Sequence, residues 1–170
     1  MDKNYKKIGL FIGKFLPPHI GHIAQIKKCA SECDTLYVIV ADSKKRTREI
    51  CKNANIKPIY AKKRLKILKK ALKSIKNIKF KFMSQGMLES FPDKLDDWKK
   101  LLKKTTKNKF DFWFVDNNYL EISKKYFPEY NFIGFDRSEI DISSTKIRND
   151  FDSNLVNIIP EARKKIKQLN

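Results

Sequence analysis

A short apolar run, Ile8-Gly9-Leu10-Phe11-Ile12, breaks on the loop Gly13-Lys14-Phe15-Leu16-Pro17-Pro18-His19 and gives way to a helical pattern from Ile20. No other feature constrains the fold as tightly. A continuous apolar run bounded by turn residues reads as a buried strand. Two consecutive prolines forbid helix until they are passed, so the loop is held extended and the helix beyond it starts in a fixed direction. Gly13 lets a ligand approach the backbone with no Cβ in between. His19 and His22, the only histidines of the chain, stand three residues apart, which puts both rings on one side of a helix N-terminus. Unpaired amides and the positive end of the helix dipole meet there, so an anionic phosphate is the natural guest.

The rest of the chain alternates strand and helix. Strands are expected over 7–12, 36–41, 78–83, 110–115 and 131–135. Helices are expected over 20–32, 64–75 and 95–104, with a short one over 118–126. Another should begin at Ser143-Ser144-Thr145, and a last one should start near Pro160 and end at Leu169. This order predicts an α/β fold: a doubly wound, mostly parallel, five-stranded Rossmann-like sheet with helices on both faces and a ligand at the carboxyl ends of the strands. The 170 residues suit one domain, 1–170, with the helical segment from about 144 to 170 as part of it. Residues 42–58 read as the one long polar connection, suited to a mobile lid.

Charge narrows the partners. A net charge of +19 raises nucleic-acid binding as an option, but arginine supplies only six of the 38 cations: Arg46, Arg48, Arg64, Arg137, Arg148 and Arg163. The lysines fall along the polar faces of helices, where solvated ammonium groups are the default. Nucleic acid is therefore a disfavoured partner, and the excess charge serves a hydrated surface that also attracts anionic nucleotides. Cys29, Cys33 and Cys51 make no zinc spacing with one another or with the histidines. With no apolar stretch long enough to span a bilayer, and no apolar signal region ahead of the first strand, a cytoplasmic location away from membranes is expected.

A second anion cradle stands far downstream. In Ile142-Ser143-Ser144-Thr145-Lys146-Ile147-Arg148, the hydroxyl run is a good helix cap that leaves hydroxyls and amides for anions, and Arg148 stands one turn later with a bidentate guanidinium. The first segment resembles the G-x-F-x-P-x-H-x-G-H signature of the nucleotidyltransferase superfamily, matched by Gly13, Phe15, Pro17, His19, Gly21 and His22. The second resembles the I-S-S-T-x-I-R motif of that superfamily. Within it, the chain resembles the nicotinamide mononucleotide adenylyltransferase domain of the bacterial bifunctional NAD-biosynthesis regulator family. That likeness is carried by Gly86-Met87-Leu88-Glu89-Ser90-Phe91-Pro92 with Trp98 beyond it, by Arg46-Thr47-Arg48, by Arg64, and by Asp136-Arg137. Two positions depart from the family pattern: Val115-Asp116-Asn117-Asn118 stands where a Ser-Glu pair is usual, and Ser144 stands where a glycine is usual.

The resemblance implies direct in-line attack of an acceptor phosphate on the α-phosphorus of ATP, with loss of pyrophosphate and no covalent enzyme intermediate. His19, His22, Lys14 and Arg148 then carry the catalytic work. ATP would also be held by Gly13, Phe15, Asp136, Ser143, Ser144, Thr145 and Arg46. Trp98, Met87, Asp42 and Arg48 fall on the acceptor side, with the Trp98 ring as a face for nicotinamide or, equally, as core. Mg2+ would come with the nucleotide, held by phosphate oxygens and water rather than by a protein carboxylate cage. The implied partners are ATP and nicotinamide mononucleotide, and self-assembly stays open. Nicotinate mononucleotide, phosphopantetheine, flavin mononucleotide or a phosphoalcohol with CTP are alternative substrates on the same core. A non-catalytic nucleotide- or RNA-binding module is the alternative of another class.

Overall fold

β1 (Ile8–Gly13) lies at the centre of the sheet, between β2 (Thr35–Asp42) and β4 (Phe112–Asp116). β3 (Ile78–Ser84) and β5 (Phe132–Phe135) form the edges, giving the order β3-β2-β1-β4-β5 with every pairing parallel. The protein is described by a computed structural model covering residues 6–84, 94–137 and 141–166. α1 (Ile20–Ser31), α2 (Lys44–Asn53) and α3 (Ala61–Ala71) precede β3, while α4 (Leu95–Thr106) and α5 (Asn117–Tyr126) flank β4. α6 (Ser144–Asn149) and the single turn α7 (Pro160–Arg163) come after β5. No helix among the described residues is long and apolar enough to cross a membrane.

Side-chain alternation sorts the strands onto two apolar layers. Phe11, Val38, Val40 and Phe114 pack with Ile26 of α1 and Leu68 of α3 on one face. Leu10, Ile39, Trp113 and Val115 pack with Leu102 of α4 and Phe127 on the other. A third cluster, with Leu16, Cys51, Ile67, Ile147 and Ile158, joins the first loop to α2, α3, α6 and the residues before α7. It makes the loop after β1 part of the packed interior. Leu16 is 2% exposed, although it lies between a strand and a helix.

Three expectations need correction. Residues 42–58 are not a polar lid: they contain α2, capped where the Ser43 hydroxyl accepts from the Arg46 N–H at 3.3 Å. Thr47 and Cys51, four apart, are buried together under a cationic outer face, and that charged face is what hid the helix. The third helix starts at Ala61, just beyond the extended Tyr60, and ends at Ala71, earlier than the apolar stripe suggested. The last helix is the four residues Pro160–Arg163, and its expected end at Leu169 lies outside the described residues. The Gly86–Pro92 stretch, with Met87, also lies outside them.

Candidate active site

In a doubly wound sheet the strand order reverses beside the first strand, and the connections there leave in opposite directions and open a crevice. Here that point is the β1/β4 pair, and a cleft of about 360 Å³ opens above its carboxyl ends. Gly13, Lys14 and Phe15 line it from β1, and Val115 and Asp116 line it from β4. His22 of α1, Arg137 beyond β5, and Ser143, Ser144 and Thr145 at the start of α6 close its rim. Both sequence motifs therefore reach one cavity across more than 120 residues of chain.

The two histidines share this region differently from the sequence expectation. Their rings stack at 3.6 Å between centroids, one behind the other. His22 fronts the cleft, while His19 is 3% exposed and is not among the residues lining it. The His19 backbone N–H donates to His22 Nδ1 at 3.3 Å. An imidazole that accepts at Nδ1 carries its neutral-form hydrogen on Nε2, so His22 offers a donor from its other nitrogen. Phe15 packs edge-on against His22 at 4.9 Å and fixes the ring from the other side. Gly21 makes room for the stack, since a Cβ there would stand 3.1 Å from the His19 ring. Burial pulls His19 from 6.5 down to about 4, with the Arg137 guanidinium adding to the shift. Burial, then His19, then Arg137 hold His22 well below 6.5 as well. Both rings are neutral at pH 7.

Arg148 works through the loop. Its guanidinium donates to the Leu16 carbonyl at 2.5 Å and to the Thr145 hydroxyl at 3.1 Å, half-buried behind the cleft wall. The Ser144 hydroxyl donates to the Pro17 carbonyl at 3.1 Å, and Ser143 caps α6 by accepting from the Lys146 N–H. The downstream motif thus clamps the upstream loop as well as lining the cleft.

The remaining candidates lie further out. Asp136 lines a separate recess of about 110 Å³ beside α1. Arg46 and Arg48 lie exposed on α2, Arg46 paired with Glu49 at 3.4 Å. Asp42 is buried, ion-paired with Arg64 and accepting from the Thr47 hydroxyl at 2.6 Å, beneath the loop rather than in the cleft. Trp98 stacks on Trp113 at 5.8 Å within the second core layer and does not line the cleft. Sequence reasoning leaves Asp116 and Arg137 out of the site, and the structure pairs them at 2.5 Å over the cleft mouth. Their positions, Asp116 at the end of β4 and Arg137 just past β5, are the available signal; their pairing is not visible in the sequence.

The family model described as Cytidylyltransferase-like matches residues 10–150, which take in both motifs. The chain belongs to the cytidylyltransferase-like family. Among relatives of this cytidylyltransferase-like chain, the "Trifunctional NAD biosynthesis/regulator protein NadR" of Escherichia coli K12 is 31% identical over 100 residues, covering 58% of this chain and 24% of that protein. The protein of the same name from Salmonella typhimurium is 30% identical over 103 residues, covering 59% and 25%. The chain thus matches about a quarter of these relatives' length. A solved structure of NadR protein in complex with NR superimposes with a TM-score of 0.70 at 28% identity, over 91% of this chain and 44% of that one. A putative nicotinate-nucleotide adenylyltransferase from Vibrio parahaemolyticus shares the fold, with a TM-score of 0.63 at 17% identity over 95% and 98% of the two chains. The chain has a nucleotidyltransferase fold related to NadR and the mononucleotide adenylyltransferases, and the family supports an enzyme.

Proposed function

We propose that the chain is an adenylyltransferase that joins nicotinamide mononucleotide and ATP to give NAD and pyrophosphate. The observation that carries this reading is the convergence of His22, Lys14 and the Ser143-Ser144-Thr145 run on one cleft at the β1/β4 switch point. A phosphate oxygen of the mononucleotide attacks the ATP α-phosphorus, a new P–O bond forms, and the bond to the β-phosphate breaks. Such a transfer needs alignment and donors aimed at developing charge more than it needs a protein nucleophile. The His22 Nε2–H donates to the α-phosphate, and Lys14 with the hydroxyls of Ser143, Ser144 and Thr145 holds the leaving pyrophosphate. His19 sets the height and tilt of His22, and Arg148 holds the loop through Leu16. Among the described residues no three His, Cys, Asp or Glu side chains group as a metal site. Mg2+ fits as a passenger on the triphosphate oxygens, where it would offset phosphate charge. Likeness to NadR sequences supports the nicotinamide mononucleotide acceptor.

The test is pyrophosphate release from ATP or CTP with a panel of acceptors. It includes nicotinamide and nicotinate mononucleotides, phosphopantetheine, flavin mononucleotide and a phosphoalcohol. ATP with nicotinamide mononucleotide should be fastest and should yield NAD. Faster turnover with another pair would reassign the substrate, and no release with any pair would remove the enzyme reading.

A further inference from the structure

Arg64 is the largest fully buried side chain among the described residues, 1% exposed, on the first turn and a half of α3. A guanidinium taken out of water is costly unless its donors are matched. Here the two terminal nitrogens are matched by two different structures, while Nε has no partner among the described residues. One terminal nitrogen ion-pairs with Asp42 at the end of β2 and reaches the Thr47 hydroxyl of α2 at 3.3 Å. The other donates to the backbone carbonyl of Lys14, in the loop that lines the cleft. The space around this group amounts to about 10 Å³, so it is closely packed.

The Lys14 contact has a stereochemical consequence for its neighbour. The Lys14 carbonyl and the Phe15 N–H belong to one peptide unit, and among the described residues only Leu16–Pro17 is cis. In a planar trans peptide the carbonyl and the N–H point in opposite directions. A carbonyl drawn inward to Arg64 therefore turns the Phe15 N–H outward. Phe15 holds a positive φ of 52°, a region that side-chain-bearing residues seldom adopt, and the residue as a whole is 1% exposed, packed in the first core cluster while lining the cleft. Among the described residues the Phe15 N–H has no protein acceptor.

We propose that Arg64 is a positioning residue for triphosphate binding: by holding the Lys14 carbonyl inward, it presents the Phe15 N–H to a phosphate oxygen in the cleft. Asp42 and Thr47 hold the guanidinium in register, so the ends of β1 and β2 and the starts of α2 and α3 act as one support. This rests on the adenylyltransferase reading and adds a residue that does not itself touch substrate.

The experiment compares the wild-type chain with Arg64→Met, Arg64→Lys and Thr47→Val. Calorimetric binding of inorganic pyrophosphate is measured beside kcat and the acceptor KM, with cooperative unfolding as the check on folding. Arg64→Met should weaken pyrophosphate binding roughly tenfold or more and lower kcat, leaving the acceptor KM within about twofold. Arg64→Lys should recover part of the loss, because an ammonium can still donate to the Lys14 carbonyl. Thr47→Val should show a smaller loss of the same pattern. A folded Arg64→Met that binds pyrophosphate like wild type, or whose acceptor KM rises in step, overturns the role. Should Arg64→Met fail to fold, unchanged pyrophosphate affinity in Thr47→Val overturns it instead. A wild-type chain that neither binds pyrophosphate nor turns over removes the adenylyltransferase reading and this role with it, whereas turnover insensitive to these changes removes this role alone.

Discussion

At the scale of single residues, the stacked histidines divide one task. His22 presents a hydrogen to the cleft because the His19 N–H occupies its other nitrogen. His22→Ala removes that donor and leaves Phe15 and His19 in place. Turnover should fall by roughly 10²-fold with cooperative unfolding retained, since one preorganised donor is worth about that much. Unchanged kcat would strip His22 of its role. His19 gives a pH prediction with a definite sign. Unfolded, it takes a proton near pH 6.5; folded, burial keeps it neutral until about 4. Between these values the unfolded chain binds more protons, so stability falls as pH drops from about 6.5 toward 4. His19 contributes up to about 1.4 kcal/mol per pH unit in that window. Urea denaturation at several pH values would measure the slope, and His19→Gln should make it shallower. A slope unchanged by that substitution would show that other groups set it.

At the scale of elements, α6 and the loop after β1 form one unit, although more than 120 residues separate them. Ser144 holds the Pro17 carbonyl and Arg148 holds that of Leu16, above Ile147, which is fully buried in the cluster with Leu16. Ser144→Ala leaves one half-buried carbonyl without its donor and should cost about 1 kcal/mol. The loop would also loosen, so the KM for ATP should rise more than the KM for the acceptor, as parallel assays would show. Equal effects on both would separate the clamp from the phosphate site. This unit also marks how far the sequence could be read. The strands were legible from their apolar runs, and both motifs from residue type and spacing. Helix α2 was not, because its buried stripe is only Thr47 and Cys51 with half-buried neighbours, set in a run of Lys44, Lys45, Arg46, Arg48 and Lys52. Nor could sequence show that Asp42 faces Arg64, that Trp98 stacks on Trp113, or that His19 sits behind His22. Each depends on packing between elements far apart in the chain or on the exact path of the loop.

At the scale of the whole molecule, 38 cationic side chains against 19 acidic ones surround a cleft whose proposed guests are all anions. Among the described residues the exposed ion pairs are few and mostly within single helices, such as Arg46 with Glu49 and Lys124 with Glu121, so they cancel little of the field. A surface of one sign draws an oppositely charged ligand toward it over about a Debye length, near 8 Å at physiological salt and shorter above it. Once bound, the ligand is held by contacts at hydrogen-bond range that salt screens far less. Raising ionic strength from about 0.05 M to about 0.5 M should therefore lower kcat/KM for ATP severalfold through the association rate. Over the same range kcat should change little. A parallel fall in kcat would place the salt-sensitive charges at the reacting phosphates. A signal confined to RNA binding that collapses over this range, with no pyrophosphate release at any salt, would instead favour a polyanion-binding module, in which the same lysines neutralise a phosphate backbone and release its counterions.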